Sequence, residues 1–313
     1  MNPIRIGARG SRLSRAQAGQ MQARIAAALG APPEEADRVA PLIFITTTGD
    51  RIQDRRLLEV GGKALFTKEI EAALAVGDID CAIHSLKDVP AVSPPGLVLA
   101  AFPEREDPRD ALVSLAHARL EDLPDGATLG TASLRRQAQV LARRPDLQVA
   151  LLRGNVDTRL AKLEAGEAAA IVLAAAGLKR LGLGDRIREL FDPVAAPPAP
   201  GQGALAIQTR EADMGASWLD GLRHEATTLA IEAERGAMEI LEGSCRTAIG
   251  AHARVEGAVL ELTVEALTAD GSTRWRREGR ADLASEGLAR ARALGLELGA
   301  QVREATGDRL LVI

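Results

Sequence analysis

The sequence predicts an α/β protein with two alternating domains and a smaller α+β domain at the carboxyl end. Three observations carry this expectation. Short apolar runs alternate with helical periods from Ile4 to Ala174, as βαβ units require. Two proline-marked segments, Pro103–Arg109 and Pro193–Pro200, interrupt the alternation like crossovers between domains. After Gly221 the pattern changes to a long helix, three alternating strands and a final helix.

Ile4–Ala8 reads as a strand and passes through Arg9-Gly10-Ser11 into a helix over Leu13–Leu29, with Ser11 placed as its N-cap. Val39–Thr47 is the next strand. Thr48–Lys63 is polar, contains Gly49, Gly61 and Gly62, and has neither helical nor strand period, as in a lid or a disordered loop. Phe66–Val76 is helical. Asp80–Ile83 is an apolar run that breaks into His84, Ser85, Lys87 and Asp88 and is closed by Val89-Pro90. Pro90 cannot donate to a ladder and biases Val89 away from helix, so the strand ends in a fixed loop. Leu97–Phe102 completes a domain with an expected parallel core. The second alternation runs through Ala127–Gly130 (strand), Leu134–Arg143 (helix), Gln148–Leu152 (strand), Val156–Leu163 (helix) and Ala169–Ala174 (strand). Gly201-Gln202-Gly203 then leads into a strand at Ala204–Gln208, which suggests that the chain returns to the first domain. His224–Leu241 is helical; Ala251–Val255, Val259–Leu267 and Thr273–Gly279 read as antiparallel strands turned at Glu256-Gly257 and Asp270-Gly271; Ala284–Arg303 is the last helix. The predicted division is 1–102 with 201–220, then 103–200, then 221–313.

Composition narrows the function classes. The chain has 313 residues, 46% hydrophobic and 26% charged, which suits a globular protein with a full core. Aromatics are 2% with no Tyr and the net charge is -4, so stacking platforms and a general nucleic-acid surface are both disfavoured. No apolar run reaches the length of a membrane span, and the start M-N-P-I-R-I-G has no signal-peptide pattern. Cys81 and Cys245 are the only cysteines, and Cys81 falls inside a strand, so the expectation is a reducing cytoplasm without disulfides. Four scattered His and two separated Cys make no recognisable metal set, and neither G-x-x-x-x-G-K nor G-x-S-x-G occurs.

What remains is an anion site. Polar groups just past the carboxyl end of a buried strand, as at His84–Asp88, are where open α/β sheets place ligands, although a solvated Lys-Asp loop is the competing reading. Between Thr131 and Leu163, seven basic residues (Arg135, Arg136, Arg143, Arg144, Arg153, Arg159, Lys162) face only Asp146 and Asp157. Thr131-Ala132-Ser133 and Arg153-Gly154-Asn155 each close a strand and open a helix, as Arg9-Gly10-Ser11 does. Such turns offer free N–H groups and the positive helix end to an anion, with Arg adding paired hydrogen bonds to a carboxylate. Exposed arginines paired with local acids are the alternative, and Arg143 and Arg144 beside Pro145 read that way. The expected ligand is a small molecule with several carboxylates. Cys245, in the glycine loop L-E-G-S-C-R beside Arg246, is either a reactive thiol or a small apolar filler.

Taken together, these segments resemble the porphobilinogen deaminase (hydroxymethylbilane synthase) family. The matching stretches are G-A-R-G-S-R-L-S-R-A-Q, V-G-G-K-A-L-F-T-K-E-I-E, A-I-H-S-L-K-D-V-P, E-R-E-D-P-R-D-A-L, G-T-A-S-L-R-R-Q, L-R-G-N-V-D-T-R-L-A-K-L, A-A-A-G-L-K-R-L-G, P-G-Q-G-A and L-E-G-S-C. They follow the family order over nearly the whole chain. The resemblance implies two domains like type II periplasmic binding proteins with a cleft between them, plus a third domain with a three-stranded antiparallel sheet. It also implies a dipyrromethane cofactor, thioether-linked to the cysteine matching Cys245. Four porphobilinogens are added to it with loss of ammonia, and hydrolysis releases hydroxymethylbilane. Asp88 matches the carboxylate that stabilises the positive charge developing on the pyrrole and can shuttle protons. Lys87, Thr131, Ser133, Arg135, Arg136 and Gly203 match positions around the cofactor. Arg9, Ser11, Gln17, Lys63, Phe66, Arg153, Asn155, Arg159 and Arg180 match positions for substrate and chain carboxylates, with Lys63 and Phe66 in a loop expected to close over the reacting centre. A monomer acting in the cytoplasm, without metal, membrane or nucleic acid, is the family expectation.

The sequence departs from the family pattern at Glu59, where many members carry Lys, at Ala64, where glycine is usual, and at Ala248, where proline is frequent. Two rival readings follow from the fold: a carboxylate-binding protein without catalysis, and the sensing module of a regulator. Asp88 in H-S-L-K-D-V-P and Cys245 count against the first. The second needs a DNA-binding segment that the sequence lacks.

Overall fold

A computed structural model describes residues 2–51, 64–241 and 248–310 of the chain. They belong to two compact units. Among the described residues, the first comprises 2–51, 64–106 and 204–228, the second 107–203, 229–241 and 248–310. Lys63, Glu59 and Cys245 lie outside the described residues.

In the first unit, β1 (Ile6–Arg9) lies between β2 (Leu42–Ile45) and β3 (Cys81–Ser85), all three parallel. Beyond β3 comes a returning strand, β10 (Leu205–Arg210), antiparallel to β3 and to the edge strand β4 (Leu97–Ala101). Side chains alternate across a pleated strand. Cys81 and Ile83 therefore join Ile6, Leu205 and Ile207 under Met21 and Ile25 of the Arg12–Ala28 helix. Ala82 faces the other way, with Ile79 and Leu97, toward Ile70 and Leu74 of the Lys68–Val76 helix.

The second unit opens with β5 (Asp110–Ser114). Here β6 (Thr128–Gly130) lies between β7 (Gln148–Ala150) and β8 (Ala170–Ala174), again parallel, and β5 pairs antiparallel with β8 and with the edge strand β9 (Glu189–Leu190). Both five-stranded sheets thus share one order: first strand between second and third, then an antiparallel strand. This is the α/β class expected of type II binding-protein domains. In each sheet the antiparallel strand is the one that follows a crossover. The same unit contains a meander of β11 (Ala248–Glu256), β12 (Val259–Leu267) and β13 (Arg274–Asp282). Its inner face, including Ala251, Leu262, Val264 and Trp275, packs with Leu229, Ala233 and Ala237 of the Glu225–Leu241 helix and with Leu294 and Leu298 of the Gly287–Thr306 helix.

Three sequence expectations are corrected. The cores are mixed rather than parallel, because β10 and β5 run against their neighbours. Asp110–Ser114 is a fully buried strand hidden behind the charged run Pro103–Arg109, and its short D-A-L-V-S pattern starts on an acid that loses its charge penalty only through distant partners. Thr48–Arg51 is a helical turn rather than aperiodic, held by a hydrogen bond from the Thr48 amide to Glu69 (2.9 Å) and from the Thr47 hydroxyl to Asp50 (2.8 Å).

Candidate active site

In each five-stranded sheet the three parallel strands end on the same side, and the sequence-predicted polar residues collect there. In the first unit, β1 delivers Arg9 and then Ser11, whose side chain caps the Arg12–Ala28 helix by accepting from the Ser14 amide (3.3 Å). β3 delivers His84 and Ser85 and then a single 3-10 turn, Leu86–Asp88, that turns out Lys87 and Asp88. The apolar Leu86, 1% exposed, pins this turn to the core. Together Arg9, Ser11, Gln17, Phe66, Lys87 and Asp88 line one recess of about 470 Å³, counted with its open mouth. Leu13, Ser14, Thr67, Ile83, His84 and Ser85 complete it.

Arg9 is the hub of this recess. Its Nη2 lies 2.5 Å from Asp50 Oδ1, its Nη1 lies 3.7 Å from Asp88 Oδ2, and its guanidinium lies 4.1 Å from the centre of the Phe66 ring. Burial tends to raise the Asp50 carboxyl, but the hydrogen bonds and charge of Arg9, with the Thr47 hydroxyl and amide, outweigh it and hold Asp50 below the usual carboxylate range. Phe66 is seated against Gly49: a Cβ there would lie 2.2 Å from Phe66 Cε1, so this contact requires glycine. Gln17, 4% exposed, presents its amide to the Ser85 hydroxyl at 2.9 Å. His84, 4% exposed, hydrogen-bonds through Nε2 to Gln208 at 3.0 Å, and burial pushes its pKa down to about 4, leaving the ring neutral. Asp50 and Thr67 had no assigned role in the sequence reading, and His84 and Ser85 were read only as part of the polar strand end. No linear motif signals Asp50, which meets Arg9 only through the fold.

In the second unit, β6 is followed by Thr131 and Ser133, and the Ser133 hydroxyl caps the Leu134–Arg143 helix. β7 is followed by Arg153, Gly154 and Asn155, and Asn155 caps the Val156–Glu164 helix through its side-chain oxygen (2.9 Å from the Thr158 amide). Arg159 folds back to donate to the Gly154 carbonyl at 2.9 Å, as Arg15 does to Gly10 in the first unit at 2.9 Å. Arg180 donates to the Gly203 carbonyl at 2.8 Å.

Arg135 and Arg136 are buried and share one carboxylate. Asp110, 1% exposed, lies 2.6 Å from Arg135 Nη1 and 2.8 Å from Arg136 Nη2, and also accepts from Gln202 at 2.9 Å. Burial alone raises such a carboxyl strongly; the two guanidiniums reverse this and hold it well below the ordinary range. Asp110 is therefore a partner that the sequence reading missed, since it sits apart from the arginines in sequence. Near these strand ends, the buried donors Arg135 Nε and Arg153 Nη1 have no hydrogen-bond acceptor among the described residues. Unsatisfied cationic N–H groups beside helix N-termini suit a carboxylate ligand. Among the described residues no group of His, Cys, Asp and Glu could hold a metal ion.

Known proteins resemble this chain over nearly its whole length. Residues 4–217 match the model of the "Porphobilinogen deaminase, dipyromethane cofactor binding domain", and residues 228–304 match the "Porphobilinogen deaminase, C-terminal domain". The chain belongs to the porphobilinogen deaminase family. A porphobilinogen deaminase of Caulobacter sp. (strain K31) is 67% identical over 99% of this chain and 98% of its own. Those of Caulobacter vibrioides (strain NA1000 / CB15N) and Phenylobacterium zucineum (strain HLK1) are 65% and 63% identical with the same coverage. Among solved structures, a putative methionine-binding lipoprotein from Bacillus subtilis is similar at 14% identity and a TM-score of 0.43, over 72% of this chain and 92% of that chain. A nutrient-binding protein from Burkholderia cenocepacia is similar at 15% identity and a TM-score of 0.42, over 70% of this chain and 89% of that one. Neither bears on what this chain binds. Family membership makes it a transferase of tetrapyrrole biosynthesis.

Proposed function

We propose that the two strand-end clusters described above serve the family's reaction, in which four porphobilinogens are joined head to tail with release of ammonia. The observation that carries this reading is the recess of the first unit, where a carboxylate, Asp88, stands beside Arg9, Lys87 and the capped helix at Ser11. Porphobilinogen brings an acetate and a propionate for the cations and an N–H-bearing ring for the carboxylate. Arg9, Ser11, Gln17 and Phe66 bind and orient it, and Lys63 extends the set from outside the described residues. Asp88 stabilises the positive charge that develops on the pyrrole as ammonia departs, and it holds or passes the proton exchanged there. Arg153, Asn155, Arg159 and Arg180 serve the carboxylates of the lengthening chain.

Dipyrromethane fits the donors present: carboxylate-bearing rings suit the unsatisfied Arg135 Nε and Arg153 Nη1 and the Ser133 helix end. Lys87, Asp88, Thr131, Ser133, Arg135, Arg136 and Gly203 are the residues proposed to hold it, with Cys245 as the point of thioether attachment. When bound, it supplies the primer and the nucleophilic carbon of the reaction. Asp110 keeps Arg135 and Arg136 in place beside the Ser133 turn.

We read the protein as a cytoplasmic monomer. Among the described residues no helix is long and apolar enough to cross a membrane. Cys81 is fully buried and its thiol is pushed up by that burial, so it stays inert in a reducing environment. The most exposed large apolar side chains, such as Val76, Val92, Leu115 and Leu288, are far apart in sequence. The separate cores of the second unit's two sheets support counting it as two domains. Intact mass under denaturing conditions tests the reading. The wild type should exceed its bare sequence by two pyrrole units and Cys245→Ala should not. Excess mass retained in the variant would overturn the attachment site. Failure of the wild type to release ammonia from porphobilinogen would overturn the function.

A further inference from the structure

Beneath the recess runs a buried chain of polar groups that the proposed reaction leaves unused. Thr67, fully buried at the start of the Lys68–Val76 helix, donates its hydroxyl to Glu71 Oε2 at 3.1 Å. Glu71, 6% exposed, accepts at Oε1 from Gln208 Nε2 at 3.1 Å. Gln208, fully buried on β10, meets His84 Nε2 with its Oε1 at 3.0 Å. His84 and Thr67 both line the recess, together with Asp88.

The order of donors in this chain follows from Glu71 at its far end, which accepts at both carboxyl oxygens, from Thr67 and from Gln208. A carboxylate only accepts hydrogen bonds, so the Gln208 amide nitrogen must face Glu71. The Gln208 carbonyl oxygen then faces His84, and an oxygen only accepts, so His84 Nε2 must carry the ring proton. Burial keeps the ring neutral at physiological pH, with its pKa down at about 4. The second nitrogen, Nδ1, is then a bare lone pair. It has no hydrogen-bond partner among the described residues and is not sealed from solvent. A buried ring with one nitrogen tied down and the other unanswered, in the wall of a recess, is a built acceptor.

We infer that His84 contacts the substrate: its Nδ1 accepts a hydrogen bond from an N–H of porphobilinogen, and Glu71 acts through Gln208 as the positioning residue that sets the tautomer. This rests on the reading of the recess as the porphobilinogen site. Asp88 and His84 then divide the work. The anion answers the charge that develops on the ring, while the neutral acceptor orients an N–H without adding charge.

The test has two parts on the cofactor-loaded enzyme. In protein labelled with ¹⁵N-histidine, the His84 signal, identified by its loss in His84→Gln, should show a protonated Nε2 and an unprotonated Nδ1. In Glu71→Gln, where the end of the chain can either donate or accept, the signal should become a mixture of the two tautomers. In steady-state assays with porphobilinogen, His84→Gln keeps a group for Gln208 but lacks the acceptor. It should raise KM about ten-fold while kcat stays within about three-fold, the loss expected for one hydrogen bond. His84→Asn, whose side-chain oxygen can stand near the Nδ1 position, should recover part of that loss. A wild-type signal with Nδ1 protonated overturns the inference without requiring any variant to fold. An unchanged KM in His84→Gln does the same. A wild type that leaves porphobilinogen unconsumed overturns the reading of the site itself.

Discussion

Arg9 touches two carboxylates and an aromatic face at once, and the balance among them sets the state of the recess. The Asp50 contact is shorter, at 2.5 Å against 3.7 Å for Asp88, so Asp50 holds the guanidinium while Asp88 keeps acceptor capacity for a substrate N–H. Asp88→Asn should fold normally and lose about 100-fold or more in kcat, the scale of removing a transition-state charge partner; near-normal ammonia release would remove Asp88 from the reaction. His84 gives the residue scale a pH signature. Its folded pKa of about 4 lies below the ordinary 6.5, so the unfolded chain binds the proton first on acidification. Its contribution to stability is complete above pH ~6.5 and is lost as pH falls toward ~4, about 3 kcal/mol in all. Thermal melts from pH ~7 to ~4 should therefore fall more steeply for the wild type than for His84→Gln; parallel curves would count against a buried neutral ring.

At the scale of elements, the turn entering the Lys68–Val76 helix carries a conformational cost. Ala64 adopts φ 70°, in the left-handed region that a Cβ disfavours by about 1–2 kcal/mol. Glycine, the usual family residue at this position, removes that penalty and adds back less than about 1 kcal/mol of chain entropy. Ala64→Gly should raise the denaturation midpoint slightly, and a lower midpoint would show that the turn carries no strain. Nearby, Gly49→Ala would drive a methyl group into the Phe66 ring. We expect Phe66 to leave the recess and KM to rise several-fold, read by steady-state assay. On β5, Asp110 faces two arginines, and removing one member of such a buried set costs about 3–5 kcal/mol. The folded pKa of Asp110 is depressed. Its stabilisation is thus present above pH ~4 and lost on further acidification, which Asp110→Asn should abolish in acid-unfolding curves.

For the whole molecule, the charge distribution matters more than its sum. The chain is acidic overall at -4, yet Arg9 and Lys87 in the first unit and Arg153 and Arg159 in the second lie at or beyond the ends of parallel strands, where we propose that they meet carboxylates. Charges at an open recess are screened within about 8 Å at physiological ionic strength. Raising salt from about 50 to about 500 mM should therefore increase KM for porphobilinogen several-fold with little change in kcat. A salt-independent KM would argue against carboxylate recognition by these cations.

Sequence and tertiary structure divided the determination of this protein along physical lines. Local patterns announced themselves: a serine before a helical period predicts the cap at Ser11, and it forms, while the strand-to-helix turns read at Ser133 and Asn155 also prove to be helix caps. Period-two runs predicted the meander, and the long motifs carried the family and with it the reaction. Pairings between distant residues left no such mark. That Asp110 lies against Arg135 and Arg136, that Asp50 reaches Arg9, and that Glu71 connects through Gln208 to His84 are facts about which strands are neighbours. The antiparallel course of β5 and β10 was equally invisible, because a short buried strand reads alike in either direction. Side-chain type and spacing are local properties, and a chain can show them in one dimension. Strand order, the partner of a buried charge and the tautomer of a buried ring depend on neighbours far off in sequence, and only the folded sheet brings them together.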